Sequence, residues 1–255
     1  MISTSRANDA GYRASADLAV VAGLLGAAYR LVGGNAVSLL TAVHGVSDLV
    51  PGRDTADADF AAHYGVVGDP RLPKALAELG YTRVVGNRFT RTDPASGDEL
   101  AVDVLAPSYT GRLEANQRHG LLYVDEVPGL AFALERPPTV VAAEVMLTSQ
   151  VTVSAELQLP DVVAALCLKA YAYAGRWHPR DALDVWRLLE AAYAAGVLAS
   201  DWPTGPTGRA GSSLLHQHFG RPASQGPQEA TRSTAQQARI RALVAGVVAR
   251  PANRP

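Results

Sequence analysis

Residues 53–60 read Arg53-Asp54-Thr55-Ala56-Asp57-Ala58-Asp59-Phe60. From Thr55 to Phe60 the side chains alternate: Asp57 and Asp59 fall on one side, and Ala56, Ala58 and Phe60 on the other. That is the period of a strand with one buried face. Two carboxylates side by side repel unless protonated or bridged by a cation. A hard divalent ion such as magnesium takes such oxygen ligands. A solvent-exposed strand face accounts for the pair about as well.

Upstream, Leu31-Val32 leads into Gly33-Gly34, and a helix is expected over Asn35–His44 with Asn35 as its N-cap. Paired glycines allow close backbone approach, and a helix N-terminus offers free N–H groups to phosphate oxygens. A plain strand-to-helix turn has the same appearance. Residues 14–29 carry a helical apolar pattern before this point.

Downstream, Leu72–Leu79 reads as a helix stopped by Gly80, and Thr82–Val85 and Arg88–Thr92 flank Gly86-Asn87 as a hairpin. Glu99–Leu105 is the returning strand, with Asp103 between Val102 and Val104. A third carboxylate on a neighbouring strand completes a site for two metal ions about 3.5–4 Å apart. Leu121–Val124, Leu130–Leu134 and Val140–Val153 read as further β pieces. After Pro160, helices are expected over Asp161–Ala174 and Arg180–Ala194; residues 201–231, rich in Pro, Gly, Ser and Thr, read as loop, and Thr234–Val248 as a last helix.

The order of glycine pair, helix, Asp-x-Asp strand, hairpin and third Asp resembles the nucleotidyltransferase superfamily, the polymerase-beta-like fold. Leu31-Val32-Gly33-Gly34-Asn35-Ala36-Val37 looks like its glycine motif, and Arg53–Phe60 like its R-x-[ST]-x-D-[IV]-D-F stretch. Two departures are Ala58 in place of a larger aliphatic residue, and 22 residues between Gly34 and Asp57, which call for a longer loop around Ser47–Asp54. The segment from Lys169 through Arg176, Arg180 and Asp181 to Asp184 is similar to the signature of AbiEii/AbiGii toxin-type nucleotidyltransferases. The likeness covers roughly residues 28–190.

The resemblance implies an α/β (α+β) fold: a mixed sheet with flanking helices and a helical C-terminal part. The expected divisions are 1–155 for the nucleotidyltransferase domain, 156–200 for a helical part closing on the nucleotide, and 201–255 for a loop-rich basic tail. It also implies a magnesium-dependent enzyme that moves a nucleoside monophosphate from an NTP to a hydroxyl. Asp57, Asp59 and Asp103 would hold two Mg2+ ions, with Asp103 also helping to deprotonate the acceptor. Gly33, Gly34, Lys169, Arg176 and Asp181 would hold the nucleotide. A toxin–antitoxin or phage-defence role follows for the family, with tRNA as acceptor and an antitoxin protein as partner. Two rival readings are transfer to a small molecule of the aminoglycoside type, and a non-catalytic binding module of the same fold; three intact acids count against the module.

Lys169 stands out without the resemblance. The chain has 21 Arg but only two Lys, and Lys169 lies among apolar neighbours. A buried ammonium calls for an anionic partner, phosphate or carboxylate; snorkelling off an exposed face is the other reading. Asp184 follows Arg180 by one helical turn, so an internal ion pair is a second structural alternative. His216-Gln217-His218 has metal-like spacing but no third ligand near it, His178 reads as a turn residue, and Cys167 as a buried small hydrophobe. Of Tyr171 and Tyr173, only one can face the core.

Composition bounds the rest. Of 255 residues 48% are hydrophobic and 18% charged, with a net charge of −1, which excludes a basic coat for nucleic acid. Charge is uneven: residues 201–255 hold seven Arg against Asp201 and Glu229. Nucleic-acid contact, if made, is therefore expected there and on the Arg83, Arg88, Arg91 hairpin. One cysteine excludes an internal disulfide and suits a cytoplasmic protein. The longest apolar run, Leu18–Tyr29, has twelve residues, against about 20 needed to span a membrane. No membrane partner or export signal is expected.

Overall fold

The computed structural model describes residues 1–251. The chain forms two compact units: Met1–Ala36 with Asp54–Asp161, and Val37–Arg53 with Val162–Pro255. Among the described residues no helix is long and apolar enough to cross a membrane.

The first unit is built on a mixed seven-stranded sheet. Its strands are β1 (Arg30–Val32), β2 (Asp57–Ala61), β3 (Thr82–Val85), β4 (Arg88–Thr92), β5 (Glu99–Ser108), β6 (Glu114–His119) and β7 (Leu122–Pro128). β5 is the spine. It runs parallel to β2 along one side; on the other side it pairs antiparallel with β4 up to Asp103 and parallel with β7 from Leu105. The β3–β4 turn has Gly86 at φ +53°, a conformation glycine adopts freely. Helix α1 (Arg6–Leu25) packs Leu18, Val21 and Ala22 against the sheet. Its N-cap Ser5 accepts from Asn8 N–H.

Four expectations are corrected in this unit. The first helix spans Arg6–Leu25 rather than residues 14–29, because Ser5 supplies the cap that the apolar pattern alone does not mark. Asn35 is not an N-cap; it lies inside α2 (Gly33–Val43). Leu130–Leu134 is not a strand but part of the short helix α5 (Leu130–Glu135), entered through Gly129 at φ +83°. Val140–Val153 is not one strand but the hairpin of β8 (Thr139–Met146) and β9 (Thr152–Leu159), turned at Thr148–Gln150. α3 (Tyr64–Val67) and α4 (Arg71–Glu78) complete the unit.

The second unit is helical. α6 (Val162–Arg176) and α7 (Pro179–Ala194) pack together, with α8 (Pro206–Leu215), a π-helical turn (His216–Gly220), α9 (Gln225–Ala230) and α10 (Thr234–Val247) around them. The loop expected over 201–231 is thus corrected to helices, and the terminal helix ends at Val247; the last residues of the expected tail, 252–255, lie outside the described residues. The small residues that suggested loop serve close packing instead. A Cβ at Gly211 would stand 2.7 Å from Cys167 Sγ, and one at Gly226 would stand 2.4 Å from the Phe219 ring. Trp186, Tyr173 and Phe219 fill the interior.

Candidate functional site

The three predicted acids fall on one face of the first unit's sheet. Asp59 on β2 lies directly across from Asp103 on β5, and Asp57 across from Ala101. Period two along each strand then places Asp57, Asp59 and Asp103 on the same side. The sheet is held here by apolar neighbours: Ala58, Phe60, Val102 and Val104 are fully buried on the opposite face.

Arg88 on β4 is opposite Asp103 and closes the arrangement. Its Nη1 donates to Asp103 Oδ2 at 2.8 Å and lies 3.7 Å from Asp57 Oδ2. Burial, with the charges of Asp57 and Asp125 behind it, outweighs Arg88 and pushes the Asp103 carboxyl up to about 6. Asp125 on β7, opposite Leu105, is a fourth acid on this face; it accepts from the Asn116 N–H at 2.9 Å. Asn116 itself sits at φ +58° beside a register break in β6. Such breaks re-aim strand residues near sites.

Gly33 follows β1 at φ +71°, and a Cβ there would lie 1.7 Å from Asp59 Oδ2. The close approach that the glycine permits is therefore made by the carboxylate of Asp59. Gly34 is buried in the first turn of α2. Asn35, one residue on, donates from Nδ2 to the Asp57 carbonyl at 2.7 Å and ties the helix start to the acidic strand. The long connection expected before β2 is present, with irregular backbone over residues 46–56.

The donor set is oxygen only, which suits a hard divalent cation, and a guanidinium already stands as cation between two of the acids. Among the described residues no three His, Cys, Asp or Glu side chains converge as a metal-holding group. The oxygen donors suit magnesium by chemistry, but as placed they do not converge on one ion, and Arg88 pairs with two of them.

The remaining predicted residues lie in the second unit and form a network of their own. Lys169 is 8% exposed, and its Nζ lies 2.8 Å from Asp184 and 3.2 Å from Asp181. Its anionic partners are carboxylates, so the snorkelling alternative is set aside. Asp184 also receives a two-pronged bond from Arg53, at 2.9 and 2.8 Å. The expected alternative pairing of Asp184 with Arg180 is corrected: Arg180 is exposed, and Asp184 is held by Arg53 and Lys169. Burial raises the Asp184 carboxyl, but Lys169 and Arg53 overcome it and hold the group below the usual carboxylate range. Arg176, mostly exposed, pairs with Asp181 at 2.9 Å. Arg187 binds the hydroxyls of Ser38 and Thr41.

Other side chains singled out in the sequence have structural partners. His178 accepts from the Arg180 N–H at the head of α7. His216 and His218 lie in the π-helical turn, with His216 against the Val248 and Ala249 carbonyls. Tyr173 is the buried tyrosine of its pair. Of the hairpin arginines, Arg91 pairs with Asp17 and Arg88 with Asp103, while Arg83 donates to the Leu121 carbonyl. Sequence reasoning missed Asn35 as a tie to β2, Asp125, Arg53 as the partner of Asp184, and Arg88 as the partner of the acids.

No protein-family model matches the chain, and no curated protein matches it in sequence. Among solved structures, an antigenic nucleotidyltransferase-like protein from Paracoccidioides brasiliensis is similar over 94% of both chains, at 14% sequence identity and a TM-score of 0.50. The fold of this chain is thus that of a nucleotidyltransferase-like protein.

Proposed function

We propose that the chain is a nucleotidyltransferase that moves a nucleoside monophosphate from an NTP to a hydroxyl acceptor and releases pyrophosphate. One observation carries this reading: Asp57, Asp59 and Asp103 share a sheet face in register beside a helix that opens at Gly33-Gly34. Asp57, Asp59 and Asp103 would hold Mg2+, which when bound neutralises the charge on the triphosphate and on the attacking oxygen. Asp103 would take the acceptor's proton. Asn35 and Gly33 fix β2 and so aim Asp57 and Asp59; positioning and charge neutralisation account for most of the rate in phosphoryl transfer.

The resemblance to toxin-type relatives favours a tRNA acceptor and a cognate antitoxin, and assigns Lys169, Arg176 and Asp181 to the nucleotide. The test is transfer of label from each of four α-labelled NTPs to total tRNA or to aminoglycosides, with Asp57→Ala as control. Label in tRNA, lost in the variant, supports the proposal. Label in the small molecule alone would move the acceptor class, and no transfer to any acceptor would overturn the activity.

A further inference from the structure

Trp177 is built to be seen. Of the three tryptophans, Trp186 and Trp202 are 2% and 4% exposed, but Trp177 is 48% exposed. It closes α6 with its N–H on the Tyr173 carbonyl and has φ +50°. Helix ends of this kind take glycine or asparagine, and an aromatic residue there carries strain. The ring is fixed from beneath: its centroid is 5.6 Å from Tyr173 and 4.8 Å from His218, edge to face at 89°. His218 in turn belongs to the π-helical turn, a rare form that gathers at functional positions. The buried rings hold the indole while its other half faces solvent.

The surroundings are cationic. Arg176 and Arg180 flank Trp177 in sequence and are exposed. Arg221, also exposed, follows the π-helical turn that carries His218. Two acids are near: Asp181 is buried and already paired with Lys169 and Arg176, and Glu229 stands against the Tyr173 hydroxyl beneath the indole. An exposed, pre-oriented indole with exposed Arg176 and Arg180 beside it in sequence, and with Arg221 close enough to act on His218 beneath it, suits a nucleobase with its phosphate: every base offers a π face, and guanidinium groups meet the phosphate.

We propose that Trp177 is a stacking platform for an unpaired nucleobase, with Arg176, Arg180 and Arg221 receiving the attached phosphate. The choice of ligand rests on the nucleotidyltransferase reading, but the platform does not use the acids. The base comes from one of two sources, a free NTP or a single-stranded segment of RNA.

The exposed indole is its own probe, because stacking quenches tryptophan emission and the other two rings are buried. The full chain would be titrated in EDTA with the four NTPs, with single-stranded RNA ten-mers, with duplex RNA and with tripolyphosphate. Quenching by the ten-mers but not by duplex or tripolyphosphate is expected, and quenching by NTPs at matching nucleotide concentrations would identify the free nucleotide as the source. Trp177→Gly suits the left-handed backbone, so the variant keeps its fold. It should lose the quench and about tenfold in affinity, at the low end for one stacked base, while Trp177→Phe keeps part of that affinity. Asp57→Ala should bind and quench like the parent, which separates this platform from the metal-site reading. Absence of quenching by any nucleotide, or unchanged affinity in Trp177→Gly, overturns the proposal.

Discussion

Arg88 Nη1 lies 2.8 Å from Asp103 and 3.7 Å from Asp57, so one guanidinium neutralises two of the three acids presented by the sheet. A positive group is thus in place where repelling carboxylates need one. Arg88→Gln removes it. The pair is more than a third exposed on the Arg88 side, so the metal-free protein should lose no more than about 1 kcal/mol. Mn2+ should then bind more tightly, because no internal cation competes. Calorimetric titration of parent and variant checks this, and weaker Mn2+ binding in the variant would contradict it.

Asp57→Ala and Asp59→Ala should abolish nucleotidyl transfer. In EDTA neither should cost more than about 1 kcal/mol, since the relief of repulsion offsets the lost contacts, among them the long pairing of Asp57 with the part-exposed Arg88. Activity assays beside thermal melts decide the matter; a variant with parental turnover would remove that acid from the site.

The Asp103 carboxyl, raised to about 6 by burial, makes stability depend on pH in a defined window. Its proton is held more firmly in the folded state than in the unfolded one. Stability therefore falls as pH climbs from about 4 to about 6 and is level above that. The loss amounts to roughly 3 kcal/mol, at about 1.4 kcal/mol per pH unit of displacement. Denaturant melts in EDTA across this range should show the slope in the parent and its absence in Asp103→Asn.

Lys169→Ala leaves Asp181 and Asp184 buried with fewer cations. Breaking a buried pair from one side costs about 3–5 kcal/mol, and Arg53 on Asp184 keeps the loss near the lower figure. Urea unfolding measures it. A stability loss below about 1 kcal/mol would show that the Lys169 ion pairs contribute little. Separately, unchanged NTP affinity in the folded variant would remove Lys169 from the nucleotide.

Gly33→Ala meets both a left-handed φ and the carboxylate of Asp59. Asp59 must shift, so transfer should drop by far more than the melting temperature would suggest. The comparison with Gly34→Ala in the same assays isolates the contact.

Much of the first unit was readable because its strands have one buried face and its turns carry their own chemistry. β3, exposed along its whole length, and β4 follow from the tight turn at Gly86-Asn87, and β2 and β5 from acids set between apolar residues. Leu130–Leu134 misled because a five-residue apolar run has no period, and Gly129 with its tertiary surroundings decides for helix. β6 escaped because an exposed, bulged edge shows no apolar alternation. Residues 201–231 misled because glycine read as loop is here glycine under a neighbouring side chain. The acids of the site were legible one by one. Arg88 on Asp103 was not, because it depends on strand register, nor was Arg53 on Asp184, separated by 131 residues.

β5 changes partner on one side between Asp103 and Leu105, from the β3–β4 hairpin to the β6–β7 hairpin. The acidic position therefore stands at a junction between two peripheral modules, while its link to β2 runs unbroken along the other side. Either hairpin is open to lengthening, shortening or re-decoration at its tip, with the Asp59–Asp103 register untouched. Variation between chains of this architecture has a natural outlet there, at no cost to the pairing that aligns the acids.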